Sequence, residues 1–121
     1  MDHDEALKPL LWRGDSKQEF KSFPAQVQRE MGYALFVAQA GERHRTMAKT
    51  LKGFGGGAVI ELRDNYDGNT YRAVYTVRFD DAIYVLHAFQ KKSREGARTA
   101  PADIARVEKR LLALQKERGH R

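Results

Sequence analysis

Between residues 61 and 92 the chain spaces a carboxylate, an amide and three cations among apolar residues: Glu61, Arg63, Arg72, Gln90 and Lys92. Arginine and lysine bind anions, and the guanidinium fork suits phosphate oxygens. Glu61 brings a group that takes a proton if a neighbouring arginine orients it; otherwise it is a salt-bridge partner of Arg63 or Arg72. His87 lies in the same stretch, and imidazole titrates near neutrality. Gathered on one surface, these groups would hold an anion and move a proton beside it.

Such a gathering needs strands, whose side chains alternate between two faces. Three alternating segments run over Ala58–Arg63, Thr70–Phe79 and Ile83–Gln90, separated by Asp67-Gly68-Asn69 and by Asp80-Asp81. Short spacers with this turn chemistry predict an antiparallel meander. Ile60 and Leu62 share one row, Glu61 and Arg63 the other. Tyr71, Ala73, Tyr75, Val77 and Phe79 form an apolar row opposite Arg72, Val74, Thr76 and Arg78. The last segment splits into Ile83, Val85, His87 and Phe89 against Tyr84, Leu86, Ala88 and Gln90, with Lys92 continuing the second row. Aligned so that Glu61, Arg63, Arg72, Gln90 and Lys92 coincide, the other face is apolar enough to hold helices, although sequence alone does not fix register. Lys91 alternates away from Lys92 and is expected to help electrostatically. His87, in the row of Val85 and Phe89, is expected to be a packed histidine.

The rest of the chain supplies the support. Lys8–Arg13 reads as a short strand, and Ser16-Lys-Gln-Glu19 as a capping box that opens a helix. From Ala25 to Ala40, Val27, Met31, Ala34, Leu35 and Ala38 make a helical stripe. Tyr33, Phe36 and Val37 widen it, which predicts a well-buried helix ended by Gly41. The segment from Glu42 to Lys52 is basic, with Arg43, His44, Arg45, Lys49 and Lys52. Gly53–Gly57 is a loop without the spacing of a phosphate-binding P-loop. Pro101 and Asp103 open a last helix carrying Ile104, Val107, Leu111 and Leu114. The predicted architecture is α+β in the order β-α-α-β-β-β-α, a small, mostly antiparallel sheet with helices on one face.

Composition bounds the function. A chain of 121 residues is expected to form a single domain over 1–121, with residues 1–7 disordered. It has no cysteine, so the cytoplasm is the default compartment. No apolar run approaches a membrane span, and the acidic start is not a signal peptide. A formal charge of +6 favours anionic partners, nucleic acid first. The histidines show no metal-ligand spacing, no Ser/His/Asp set can be assembled, and no cofactor is expected.

The motifs resemble those of a known family. Glu61-Leu62-Arg63, Tyr71-Arg72-Ala73-Val74-Tyr75 and the run Leu86-His87-Ala88-Phe89-Gln90-Lys91-Lys92-Ser93 match RelE/HigB-type toxins of bacterial toxin–antitoxin modules, the phage-derived branch above all. Lys49 to Gly53, as Lys-x-Leu-x-Gly, and the Pro-x-x-Ile entry to the last helix fit as well. The likeness spans about Leu10 to Leu114. It implies a ribosome-dependent endoribonuclease that cuts messenger RNA in the ribosomal A site through attack of the RNA 2′-hydroxyl. It carries Arg72 over as the phosphate-stabilising arginine, and Lys92 and Arg63 as basic positions of the site, with Glu61 standing where described members have lysine. Beyond Lys92 there is no tyrosine to stack a base. Lys91 and Gln90, with Arg45, Lys49 and Lys52, are the expected RNA contacts. The implied partners are a helix-turn-helix antitoxin, the ribosome and messenger RNA. A ParE-like gyrase inhibitor without cleavage chemistry, or an inactive homologue that only binds its antitoxin, would share the scaffold.

Overall fold

The computed structural model describes residues 7–91 and 98–119. The expectation for residues 1–7 lies outside this range except at Leu7, and Lys92 lies outside it too. Strand β1 (Leu10–Trp12) is followed by α1 (Ser16–Lys21) and α2 (Ala25–Gln39). Next come β2 (Ala48–Thr50), β3 (Val59–Tyr66), β4 (Asn69–Thr76), β5 (Ile83–Lys91) and α3 (Pro101–Glu117). The sheet order is β1-β5-β4-β3-β2. Only β1 runs parallel to its neighbour. The class is therefore α+β with a mostly antiparallel sheet, as expected, and β2 is one strand more than the sequence suggested. It is three residues long and drawn from the basic segment, whose charges mask its pattern.

The meander forms because its turn fits its twist. Tyr66 pairs with Asn69, leaving Asp67 (φ 52°) and Gly68 (φ 81°) as a two-residue turn. Two positive φ values in sequence match the right-handed twist of the flanking strands, and glycine takes the second without strain.

The helices do not share one face. On one side, α1 and α2 bury Phe20, Val27, Met31 and Leu35 against Ile60, Leu62, Tyr75 and Val85. On the other, α3 buries Val107, Leu111 and Leu114 against Val59, Val74 and Leu86. Both faces of the central strands are apolar enough for this, and each large side chain taken fully out of water contributes about 1.5–3 kcal/mol. The α2 stripe is buried as read, but Tyr33 and Phe36 are 59% and 47% exposed; a helix lying on a sheet has one buried side, and they sit beyond its width. The Ser16 capping box does not form either. Asp15 is the residue before α1, and Ser16 is buried with its hydroxyl donating to the Val85 carbonyl at 3.1 Å.

One irregularity positions everything that follows. Val74 pairs with His87, yet Tyr75 pairs with Val85, so Leu86 is an extra residue in β5. Such a bulge reverses parity beyond it. Arg110 of α3 supports it, donating to the Leu86 carbonyl at 2.8 Å and to Asp15 at 2.9 Å. Gly14 lies flat on this guanidinium: a Cβ there would fall 2.6 Å from its central carbon.

Candidate functional site

Pairing across β2, β3, β4 and β5 defines the polar patch on the α3 side. Lys49 faces Glu61, Arg63 faces Arg72, Arg72 faces Phe89, and Val74 faces His87. Glu61, Arg63 and Arg72 thus share a face, as the alternation implied. Gln90 does not. The bulge turns it to the α2 side opposite Tyr71, and brings His87, Phe89 and Lys91 to the patch instead. Alternation counted straight through Leu86 could not have revealed this.

Glu61 is the hub. Its Oε1 accepts from Arg63 Nε at 2.8 Å and from Arg72 Nη1 at 3.4 Å, and its Oε2 accepts from the Thr99 hydroxyl at 2.7 Å. Arg72 Nη1 also reaches Thr99 Oγ1 at 3.3 Å. Glu61 and Arg72 are 1% and 2% exposed, while the Arg63 side chain is 28% exposed. Burial pushes the Arg72 guanidinium below its ordinary value; the Glu61 charge opposes this and Arg63 adds to it. The polar face read from the sequence is therefore roofed at Arg72 by Thr99. The exposed cations of the patch are Lys49 and, in part, Arg63 and Lys91, whose Nζ donates to the Arg98 carbonyl at 2.9 Å. Arg45 and Lys52 are exposed in the segments flanking β2.

Beside the hub lies a second pair. His87 Nε2 and Asp103 Oδ1 are 2.8 Å apart, and the imidazole stacks on Phe89 at 4.6 Å. Asp103 stands in the first turn of α3, where a negative charge is favoured. His87 is 4% exposed, and its Nδ1 is buried without a hydrogen-bond partner. Burial lowers its pKa, Asp103 opposes the shift, and Arg110 and Arg106 reinforce it. Both residues line a cleft of ≈ 290 Å³ with Asp15, Glu19 and Arg106. The histidine is packed, as expected, and also oriented by a carboxylate. Thr99 and Asp103 were not read as site residues: one lies in a polar loop, and the other looked like a helix-start residue alone. Among the described residues no group of three or more His, Asp or Glu is placed to hold a metal, and no helix is long and apolar enough to cross a membrane.

Known proteins agree with this architecture. The family described as "Phage derived protein Gp49-like (DUF891)" matches residues 18–112. No curated protein matches. An arginine-to-alanine double mutant of the Escherichia coli toxin RelE, solved in the free state, superposes with a TM-score of 0.56 at 14% identity, over 90% of this chain and 98% of that one. At that identity the likeness speaks to fold, while the family match covers most of the chain. The chain belongs to the phage-derived Gp49-like family, a RelE-type toxin family, and carries the RelE fold.

Proposed function

We propose that this toxin is a ribosome-dependent endoribonuclease of a toxin–antitoxin module, acting in the cytoplasm and cutting messenger RNA by attack of the 2′-hydroxyl on the adjacent phosphate. The observation that carries the reading is the juxtaposition, on one sheet face, of a cation cluster (Lys49, Arg63, Arg72, Lys91) with an Asp–His pair. Attack loads negative charge onto the phosphate, and cations placed where that charge develops stabilise it. Arg63 and Lys91 meet the backbone first. Arg72 joins when phosphate oxygens replace Thr99, whose hydroxyl now occupies the same donor. Lys92 is kept as a further cation from the family motif, with Lys52 and Arg45 as peripheral contacts. Gln90 faces away from this cluster and lines the cleft beside His87, where it would meet a base.

The proton steps need a group that is neutral and free to accept. Glu61 already receives three donors. His87, with one nitrogen on Asp103 and its pKa lowered by burial, is the better candidate. Purified toxin is added to translating ribosomes and message ends are mapped. Wild type is expected to cut, and Arg63→Ala and His87→Gln to fall by about 10²–10⁴-fold each while remaining folded. Intact message would count against the reading. The burial of Arg72 favours one alternative, a toxin that binds without cutting: a ParE-like gyrase inhibitor, or an inactive homologue held by its antitoxin. Inhibition of supercoiling with uncut message would select the gyrase reading. The partner expected in all three cases is an antitoxin, helix-turn-helix in type, and co-expression with the neighbouring open reading frame is expected to restore growth.

A further inference from the structure

On the sheet face opposite the Glu61 cluster, a groove of ≈ 490 Å³ opens between α2 and β3, lined by Arg29, Glu30, Tyr33, His44, Met47 and Asp64. Its volume lies in the range of small-ligand sites, roughly 300–1,000 Å³. Three features distinguish it from ordinary surface. Its upper wall is aromatic and open: Tyr33 is 59% exposed and continues into Phe36, 47% exposed, with their rings 6.3 Å apart. That wall is held in place, because His44 meets Tyr33 edge-on at 6.0 Å and its Nδ1 accepts the Thr46 and Met47 amides at 3.3 and 3.1 Å. The groove's acidic side is a pair of carboxyls, the exposed Glu30 and the half-buried Asp64. Asp64 Oδ2 is buried with no donor, and the group beside it is a second carboxyl, Glu30, whose own Oε2 accepts from Gln26 at 3.2 Å.

Two carboxyls lining one groove repel each other and together attract a cation. Burial, and then Glu30, push the Asp64 carboxyl up to about 6. Arg29 sits on the rim, but among the described residues it makes no ion pair with either carboxyl.

We propose that this groove is a docking site for a partner polypeptide that inserts one arginine or lysine between Glu30 and Asp64 and lays apolar neighbours on Tyr33 and Phe36. A guanidinium offers parallel donors that match two carboxyl oxygens, and its face is attracted to the Tyr33 ring. The aromatics supply the apolar anchor that single ion pairs lack, and their fixed wall lowers the ordering cost of binding. A nucleic-acid backbone is the wrong occupant, because its phosphates would meet both carboxyls. The groove lies across the sheet from Arg72 and His87, so the inference holds whether or not the toxin cuts RNA.

The test is an amide NMR titration of the purified chain with two capped peptides, Ala-Leu-Arg-Leu-Leu-Ala and the same peptide with neutral citrulline for arginine. The arginine peptide is expected to shift the amides of Tyr33, Phe36, His44 and Asp64, and the citrulline peptide to bind about tenfold more weakly. The double variant Glu30→Gln/Asp64→Asn keeps the shape of the acidic side and should bind both peptides alike, whereas Arg63→Ala should leave the difference intact. Equal binding of the two peptides by wild type, shifts confined to other surfaces, or no shifts at all would overturn the proposal. Shifts at the same amides caused by an oligouridylate instead of the peptides would also overturn it.

Discussion

Arg72 and Glu61 illustrate how little a residue's type says about its setting. Both were read as members of one polar face, and both are buried, 2% and 1% exposed, in a pair closed by Thr99. Removing one member of a buried pair strands the other charge, at a cost of about 3–5 kcal/mol, while replacing both with apolar residues of similar volume can be neutral. Arg63 and Thr99 still donate to Glu61 when Arg72 is removed, so Arg72→Ala is expected to lower the unfolding free energy by less, about 1–3 kcal/mol in a urea titration, and Arg72→Met with Glu61→Leu to recover most of the loss. Equal stability of Arg72→Ala and wild type would mean that the pair carries no structural load. Loss of toxicity in Arg72→Ala alone would consequently be ambiguous, and the exposed Lys49 and the partly exposed Arg63 are the cleaner probes. His87 makes a pH prediction. Its folded pKa is depressed, burial outweighing Asp103, so below its unfolded value near 6.5 the unfolded chain binds the extra proton. Its contribution is complete above about pH 6.5 and is lost as pH falls towards the folded value. His87→Gln should flatten that limb of a stability–pH curve, and an unchanged curve would refute the assignment. Asp64 acts with the opposite sign. Raised to about 6, it favours the fold at low pH and loses that contribution as pH rises through 6, so Asp64→Asn should raise the melting temperature at neutral pH.

At the scale of elements, the parts legible in the sequence were those with a regular period. The α2 stripe of Val27, Met31, Ala34, Leu35 and Ala38 is the buried set of that helix, because a 3.6-residue period survives any neighbour. The strand rows of β3 and β4 were equally plain. The failures have particular causes. The bulge at Leu86 leaves no local mark, since Tyr84 to Phe89 is apolar in both rows, so Gln90 was given the wrong face. That both faces of the sheet carry helices follows from the same double apolarity, which had been assigned to one side only. β2 hides in a basic segment because it is a short edge strand whose exposed Lys49 and Thr50 need no apolar partner. Arg110 is one of several basic residues in the later part of α3, and nothing in its spacing sets it apart, yet it holds the bulge and the turn before α1. Arg110→Met keeps the stem and removes both donors. It is expected to cost about 1–3 kcal/mol in urea unfolding, because the Leu86 carbonyl is left without its donor. It should also move the His87 ring resonances, since the bulge sets the face on which His87 stands. Unmoved His87 resonances would separate Arg110 from the site.

For the whole molecule, the sheet divides the surface into two chemically distinct sides. The α3 side carries the cations and the Asp–His pair; the α2 side carries a groove with one aromatic and one acidic side. A formal charge of +6 favours anionic partners, and if RNA phosphates are the target, binding should weaken steeply with salt, with each lost phosphate contact reducing the slope by about one unit. Arg63→Ala and Lys49→Ala should each lower that slope, and Glu30→Gln should leave it alone; a slope indifferent to Arg63 would argue that RNA is held elsewhere. The chemistry can be read most directly from the cut itself. A ribosome programmed with a message carrying a single 2′-deoxy nucleotide on the 5′ side of the scissile phosphate is incubated with toxin, beside the all-ribose message. Attack by the 2′-hydroxyl requires the ribose message to yield a 2′,3′-cyclic phosphate and a 5′-hydroxyl, and the 2′-deoxy message to stay whole at that position. Cleavage of the 2′-deoxy message, or ends bearing a 5′-phosphate, would contradict the mechanism.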